Sequence, residues 1–214
     1  MSWRFLRVQV WVVAATLSIA ILLFAAQKHD LAAGPQYRAV IDLTASSVLR
    51  VDLSSPRNTI LVSPAKLGGA WTLDTLPPAR LIAPLAVIEA QHKSFPNSES
   101  LVTMDDVASY ERDHGAVPQG SIVLLTSNKE RIPVFSRDAL HFLVEARNIV
   151  GIGSAGAQIT PSAENPYLAR NGVYELENVA NVSIVPRSGV IAVAAPQKTP
   201  GAAEGPVRLM ALVR

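Results

Sequence analysis

Nineteen consecutive residues, Val8 to Ala26, read VQVWVVAATLSIAILLFAA, and the most polar of them is Gln9. No ionisable side chain interrupts the run, so the chain must either surround it with apolar neighbours or give it to a lipid phase. As a helix rising ~1.5 Å per residue it spans ~28 Å, close to the thickness of a bilayer core. Arg4 and Arg7 precede it, whereas Lys28 and Asp30 nearly cancel on its far side. The positive-inside rule therefore keeps the N-terminus cytoplasmic and sends the rest of the chain across, to the periplasmic side in a bacterium. A cleaved signal peptide is the competing expectation, but its apolar core is usually shorter, ~7–15 residues, and Phe24-Ala25-Ala26 lacks the small residue wanted three before the cut. A buried soluble helix would leave the flanking arginines unexplained. Ala32-Ala33-Gly34-Pro35 reads as a linker. The expected organisation is a cytoplasmic stub, transmembrane anchor and linker over 1–34, and one domain over 35–214.

The remaining length supports one full-sized core, and 49% hydrophobic against 17% charged residues suits it. Lys and Arg total 19 against 17 Asp and Glu, a net charge of +2 that offers no field for gathering nucleic acid. Nucleic acid is not an expected partner. The chain has no cysteine, which excludes disulfides, thiolate metal sites and cysteine nucleophiles, and which permits export without requiring it.

Within 35–214, Tyr37 to Leu43 alternates like a strand, and Thr59 to Val62 and Leu85 to Glu89 are short β-branched or aliphatic runs near prolines. Thr103-Met104-Asp105-Asp106 opens a predicted helix through Asp113, with Thr103 as cap and the aspartates at the positive end of the dipole, and His114-Gly115 ends it. Ser121 to Thr126 is a predicted buried strand. Ser136 to Arg147 is a second helix with Leu140, Leu143 and Val144 on one face. Further strands are predicted at Asn148 to Ile152, Val182 to Val185, Val190 to Ala195 and Val207 to Val213, with Pro196 to Gly205 as a surface loop. Strands outnumber helices, which gives an α/β class with a mixed sheet.

Gly151-Ile152-Gly153-Ser154-Ala155-Gly156 matches a dinucleotide-binding glycine pattern and follows a predicted strand. Pro161 stands where the phosphate-cradling helix would run, so the segment reads as a tight glycine turn. Ser154 also misses the nucleophile elbow, because Ile152 occupies the place of its first glycine. The histidines at 29, 92, 114 and 141 are scattered without metal-ligand spacing. His141 and Glu145 have the i,i+4 spacing of an ordinary surface pair.

Seven segments, in order, resemble the cyclase family, which includes the metal-dependent kynurenine formamidases (arylformamidases). They are VIDLT (40–44), GGAWTLDTLPPARLIAPLAVIEA (68–90), VTMDDV (102–107), PQGSIVLLTS (118–127), NIVGIG (148–153), ELENVANV (175–182) and GPVRLMAL (205–212). The resemblance implies a mixed-sheet, cyclase-like domain of the swivelling β/β/α type, zinc or manganese as cofactor, and frequent dimers.

The family's metal and catalytic motif is His-x-Gly-Thr-His-x-Asp-x-Pro-x-His, and the corresponding stretch here runs from Pro56 to Lys66. Thr59 and Pro64 match, but the ligand positions hold Pro56, Ile60 and Val62, and the catalytic histidine position holds Lys66. None of the first three side chains can donate a lone pair. The family's ligand glutamate corresponds to Glu177. Asn165 stands for a histidine twelve residues earlier, and Gly153 stands for an aspartate. One carboxylate and an amide are too few for zinc or manganese, so no cofactor is expected. The site residues that remain are Glu177 and Lys66, which would pair if the lysine fills the vacated metal position.

The first function this predicts is a membrane-anchored, non-catalytic cyclase relative that binds a protein or small molecule, with a homodimer as a further expectation. The second is an active amide hydrolase of the tryptophan-to-kynurenine type, with Glu177 as general base. A third is anion binding by Lys66 and Arg57.

Overall fold

The computed structural model describes residues 37–45, 58–90, 101–127, 133–157 and 159–214. The segment Val8–Ala26 lies outside them, as do Pro56, Arg57, His29 and His92; among the described residues no helix is long and apolar enough to cross a membrane. From Arg38 onward the chain forms one compact unit.

Its strands are β1 (Ala39–Asp42), β2 (Ile60–Val62), β3 (Ile82–Ala90), β4 (Leu101–Val102), β5 (Ile122–Ser127), β6 (Val134–Phe135), β7 (Gly151–Gly153), β8 (Tyr174–Glu177), β9 (Val190–Pro196) and β10 (Glu204–Val213). The helices are α1 (Met104–His114), α2 (Arg137–Arg147) and α3 (Asn165–Arg170). Eight strands form one mixed sheet in the order β1-β10-β2-β8-β7-β5-β3-β9, and a further β10–β9 pairing closes it into a barrel. The run β3-β5-β7-β8 is parallel, and β1, β2, β9 and β10 join antiparallel. Strands β4 and β6 make a separate two-stranded parallel sheet.

Alternation along each strand divides the apolar side chains into two cores. Leu61, Val87, Leu124, Leu176, Ala192 and Leu209 point into the barrel. Val62, Ile88, Leu125 and Ile152 point outward to meet Val107, Leu140 and Leu143 of the helices. The parallel strands are buried on both faces, which is why SIVLLT carries no polar alternation.

The predicted helices form where their caps lie. The Asp106 carboxylate accepts the Thr103 N–H at 2.8 Å, and the Ser136 hydroxyl accepts the Ala139 N–H at 3.3 Å. Left-handed Asn148 (φ 48°) ends α2, so the strand expected from Asn148 begins only at Gly151.

Two readings of the chain are corrected. Gly151 and Gly153 sit in β7 and make no tight turn: a Cβ on Gly151 would lie 2.5 Å from the Tyr174 ring, and one on Gly153 2.6 Å from Leu124. The glycines allow β7 to lie between β5 and β8 against large side chains. Val182–Ile184, read as a strand, is a 3-10 turn, set by left-handed Asn181 (φ 57°) and the Ile184 N–H to Asn181 carbonyl bond of 3.2 Å.

Candidate functional site

Strands β2 and β8 bring the family-motif positions together. In their antiparallel ladder Ile60 pairs with Glu177 and Val62 with Glu175, and Ile152 of β7 pairs with Glu175 from the other side. Registered partners share a face, and residues two apart on a strand share it too. Ile60, Val62, Glu175 and Glu177 therefore stand on the helix-facing side of the barrel.

The two metal-ligand positions on β2 belong to that side's apolar core. Val62 is 4% exposed, and Ile60 packs against the same cluster, which also holds Ile152, Ile159, Leu168 and Tyr167. Neither side chain can coordinate a cation, and among the described residues no group of three His, Cys, Asp or Glu could hold a metal ion. The donor set therefore does not fit the zinc or manganese that the family resemblance implies.

Glu177 is half-buried at the end of β8, and the next residue, Asn178, takes a left-handed turn (φ 55°). A network fixes that turn. The Asn178 N–H donates to the Gly156 carbonyl (2.9 Å), and the buried Thr59 hydroxyl donates to the Asn178 carbonyl (2.9 Å) while accepting the Ala45 N–H (2.7 Å). Thr59, a match to the family motif, thus ties β2 to the end of β8.

Lys66 lies in the 3-10 turn Pro64–Leu67 against which α3 packs. Its Nζ pairs with Glu204 at 3.1 Å on the surface, both side chains about half exposed (52% and 48%). The predicted Lys66–Glu177 pair is not formed: the lysine stem carries its ammonium to the surface, where it stays hydrated and pairs with Glu204 of β10. Asn165 opens α3 and is half-buried.

Glu175, which drew no attention in the sequence, is 7% exposed and accepts a hydrogen bond from the Thr160 hydroxyl at 2.9 Å. Burial raises its pKa, and the Thr160 bond partly opposes that. The signal was present as YELE, two glutamates at the period of a strand, but a carboxylate within an otherwise apolar buried strand hides the strand itself.

A second polar cluster joins α2 to α3. His141 Nε2 lies 2.8 Å from buried Glu164, which Arg137 also reaches at 3.4 Å. The His141 ring stacks on Tyr167 at 3.9 Å, and the Tyr167 hydroxyl donates to Glu145 at 2.9 Å. Burial, then the Glu145 bond, push the Tyr167 hydroxyl up to about 12. The i,i+4 pair of His141 with Glu145 is thus replaced by two bonds to the next element, an exposed one from Tyr167 to Glu145 and a partly buried one between His141 and Glu164.

Comparison with known proteins agrees with this architecture. The family model described as "Putative cyclase" matches residues 22–159. Isatin hydrolase of Roseibium aggregatum is 29% identical over 166 residues, covering 65% of this chain and 63% of its own length. Among solved structures, isatin hydrolase A of Labrenzia aggregata bound to benzyl benzoate superposes with a TM-score of 0.68 at 20% identity, over 82% of this chain and 93% of that one. An isatin hydrolase bound to the product analogue thioisatinate gives a TM-score of 0.64 at 25% identity, over 84% of each chain. The chain spans less than two thirds of the curated relative it matches. With the ordered motif segments, the closed mixed barrel and the family match all in accord, the chain belongs to the cyclase family.

Proposed function

We propose that this protein is a membrane-anchored cyclase-family domain of the swivelling β/β/α type that no longer catalyses and acts by binding. The observation that carries this reading is the packing of Ile60 and Val62 into the helix-side core, where the family places metal ligands. Without a metal, no activated water is generated near neutral pH. The run Val8–Ala26 supports anchoring, with residues 1–34 as stub, anchor and linker, the N-terminus cytoplasmic and the domain outside. The ligand class we propose is a small aromatic amide, supported by the relative's isatin hydrolase name.

A second reading, metal-independent amide hydrolysis, is favoured by the pairing of Glu175 and Glu177 on one face. A buried carboxyl with a raised pKa beside a more solvated one is the arrangement of an acid and a base. Glu177 would then act as general base.

Metal analysis of the purified full chain, followed by assays with isatin and N-formylkynurenine, separates the readings. Binding of isatin without turnover supports the first. Stoichiometric zinc or manganese with turnover overturns it. Turnover that survives a chelator and is lost in Glu177→Gln establishes the second.

A further inference from the structure

The helices cover only part of the barrel, and the helix-side core takes no residue from β1, β9 or β10. Across these strands and the start of β3, Ile41, Ala211, Ala192 and Ala83 form one registered row facing the barrel interior. The alternate residues therefore face outward. One outward row is Val40, Leu212, Ile191 and Pro84, crossing β1, β10, β9 and β3; the next contains Met210, Val193 and Ile82. Val40 is 59% and Ile82 61% exposed, and the central members of both rows are half-buried. Beside them, Ile82, Leu85, Pro118, Ile191 and Arg214 line an apolar groove of about 360 Å³. Asp42, the one carboxylate in these rows, is held by Arg208 at 2.9 Å. A contiguous apolar sheet face of this kind marks an interaction surface.

The chain enters the domain at the edge of this face. The Arg38 N–H donates to the Val213 carbonyl at 2.8 Å, and Ala39 pairs with Val213, so Val40 is the first outward residue of β1. Residues 27–36 alone separate Ala26 from Tyr37, and ten residues reach at most ~35 Å when extended. A tether this short holds the domain at a high effective concentration near the lipid, so a contact too weak to recruit a free protein is enough to orient this one. Exposed Arg38 places a cation at the same margin, suited to lipid phosphate.

We propose that the outer face of β1, β10, β9 and β3 rests on the phospholipid headgroup layer, turning the Glu175–Glu177 side of the barrel away from the membrane. This rests on the anchor reading of Val8–Ala26. Apolar side chains rather than a lysine-rich field make the contact, so it tolerates moderate salt.

The absence of cysteine makes a direct test available. Ala15→Cys, Val40→Cys, Ile82→Cys and Ala108→Cys, the last exposed on α1, are each nitroxide-labelled in the full chain. They are then reconstituted in phosphatidylethanolamine–phosphatidylglycerol vesicles. The readout is the ratio of collision with oxygen, which favours lipid, to collision with a water-soluble nickel chelate. Ratios several-fold above that of the Ala108 label at Ala15, Val40 and Ile82 bear the proposal out. A high ratio at Ala15 alone overturns it and leaves the anchor standing. Low ratios at all four positions overturn both. Low ratios at Val40 and Ile82 with spin–spin broadening there mean that a second copy covers the face, which also overturns the proposal.

Discussion

Ile60 stands directly opposite Glu177 in the ladder between β2 and β8, and the next outward pair sets Val62 against Glu175. Two branched aliphatic residues thus face two carboxyl-bearing residues across the strands where the family assembles its metal site. Cross-strand neighbours of this kind lie within ~5.5 Å at Cβ, close enough for one cation to bridge suitable donors. The family resemblance implies metal donors at these two β2 positions, and the residues found there, Ile60 and Val62, pack into the helix-side core.

That packing predicts the behaviour of Ile60→His combined with Val62→Asp. In the metal-free state the new carboxylate enters an apolar cluster beside Glu175 and costs about 3 kcal/mol or more. Zinc should recover part of this loss, because binding to the folded state alone stabilises it. Thermal unfolding of both proteins with and without zinc checks it: the Tm of the double variant rises with metal and that of the parent does not.

Glu175 predicts a pH dependence of stability. Burial raises its folded pKa above the ordinary glutamate value of 4.5. The folded state therefore holds a proton that the unfolded state has released. Its stabilising contribution is fully present below 4.5 and is lost as pH rises through the folded pKa. Glu175→Gln keeps an acceptor for the Thr160 hydroxyl and removes the titration. Urea unfolding should show the variant gaining stability relative to the parent as pH rises from 4 to 8. A constant difference across that range would refute the assignment.

How much of this could be read beforehand varies with the physics of each element. Helices α1 and α2 were legible because caps and apolar spacing are local, and β5 was legible because a strand buried on both faces is uniformly apolar. Val182–Ile184 misled because β-branched residues mimic a strand while the backbone follows left-handed Asn181, a choice stabilised by contacts distant in sequence. Strand β8 stayed hidden behind Glu175, whose burial depends on Thr160 and on the strands to either side. At the site, Ile60, Val62 and Glu177 were identifiable only through the family resemblance. The partner of Lys66 was not legible at all, since nothing local distinguishes Glu204 from other surface glutamates.

The glycines of the dinucleotide-like pattern yield a different test. A methyl group at position 151 would meet the ring of Tyr174, which is fully buried and whose hydroxyl donates to the Arg80 carbonyl at 2.9 Å. The ring cannot withdraw without breaking that bond, so Gly151→Ala should lose about 1–3 kcal/mol. Chemical denaturation measures this. NAD should leave the unfolding midpoint of the parent unchanged, because these residues form a strand and cradle no phosphate.

The ion pair linking α1 to α2 gives the clearest electrostatic prediction. Arg147 reaches both carboxylate oxygens of Glu111, Nε to Oε1 at 2.8 Å and Nη2 to Oε2 at 3.0 Å, and the Val117 N–H also donates to Oε1 at 3.1 Å. Both side chains are about one-fifth exposed. The arginine hydrogen bond is the main cause holding the Glu111 carboxyl below its ordinary value, with burial opposing it. Because the folded pKa is depressed, the stabilisation is present above the unfolded value near 4.5 and is lost as pH falls through the folded pKa. A bidentate, partly buried pair exceeds the usual surface bridge, so Glu111→Gln should cost about 1–2 kcal/mol at pH 7. As pH falls through the depressed folded pKa the parent's carboxylate protonates as well, and the two unfolding curves should converge. A difference that stays constant into acid would show that the pair contributes through packing, not charge.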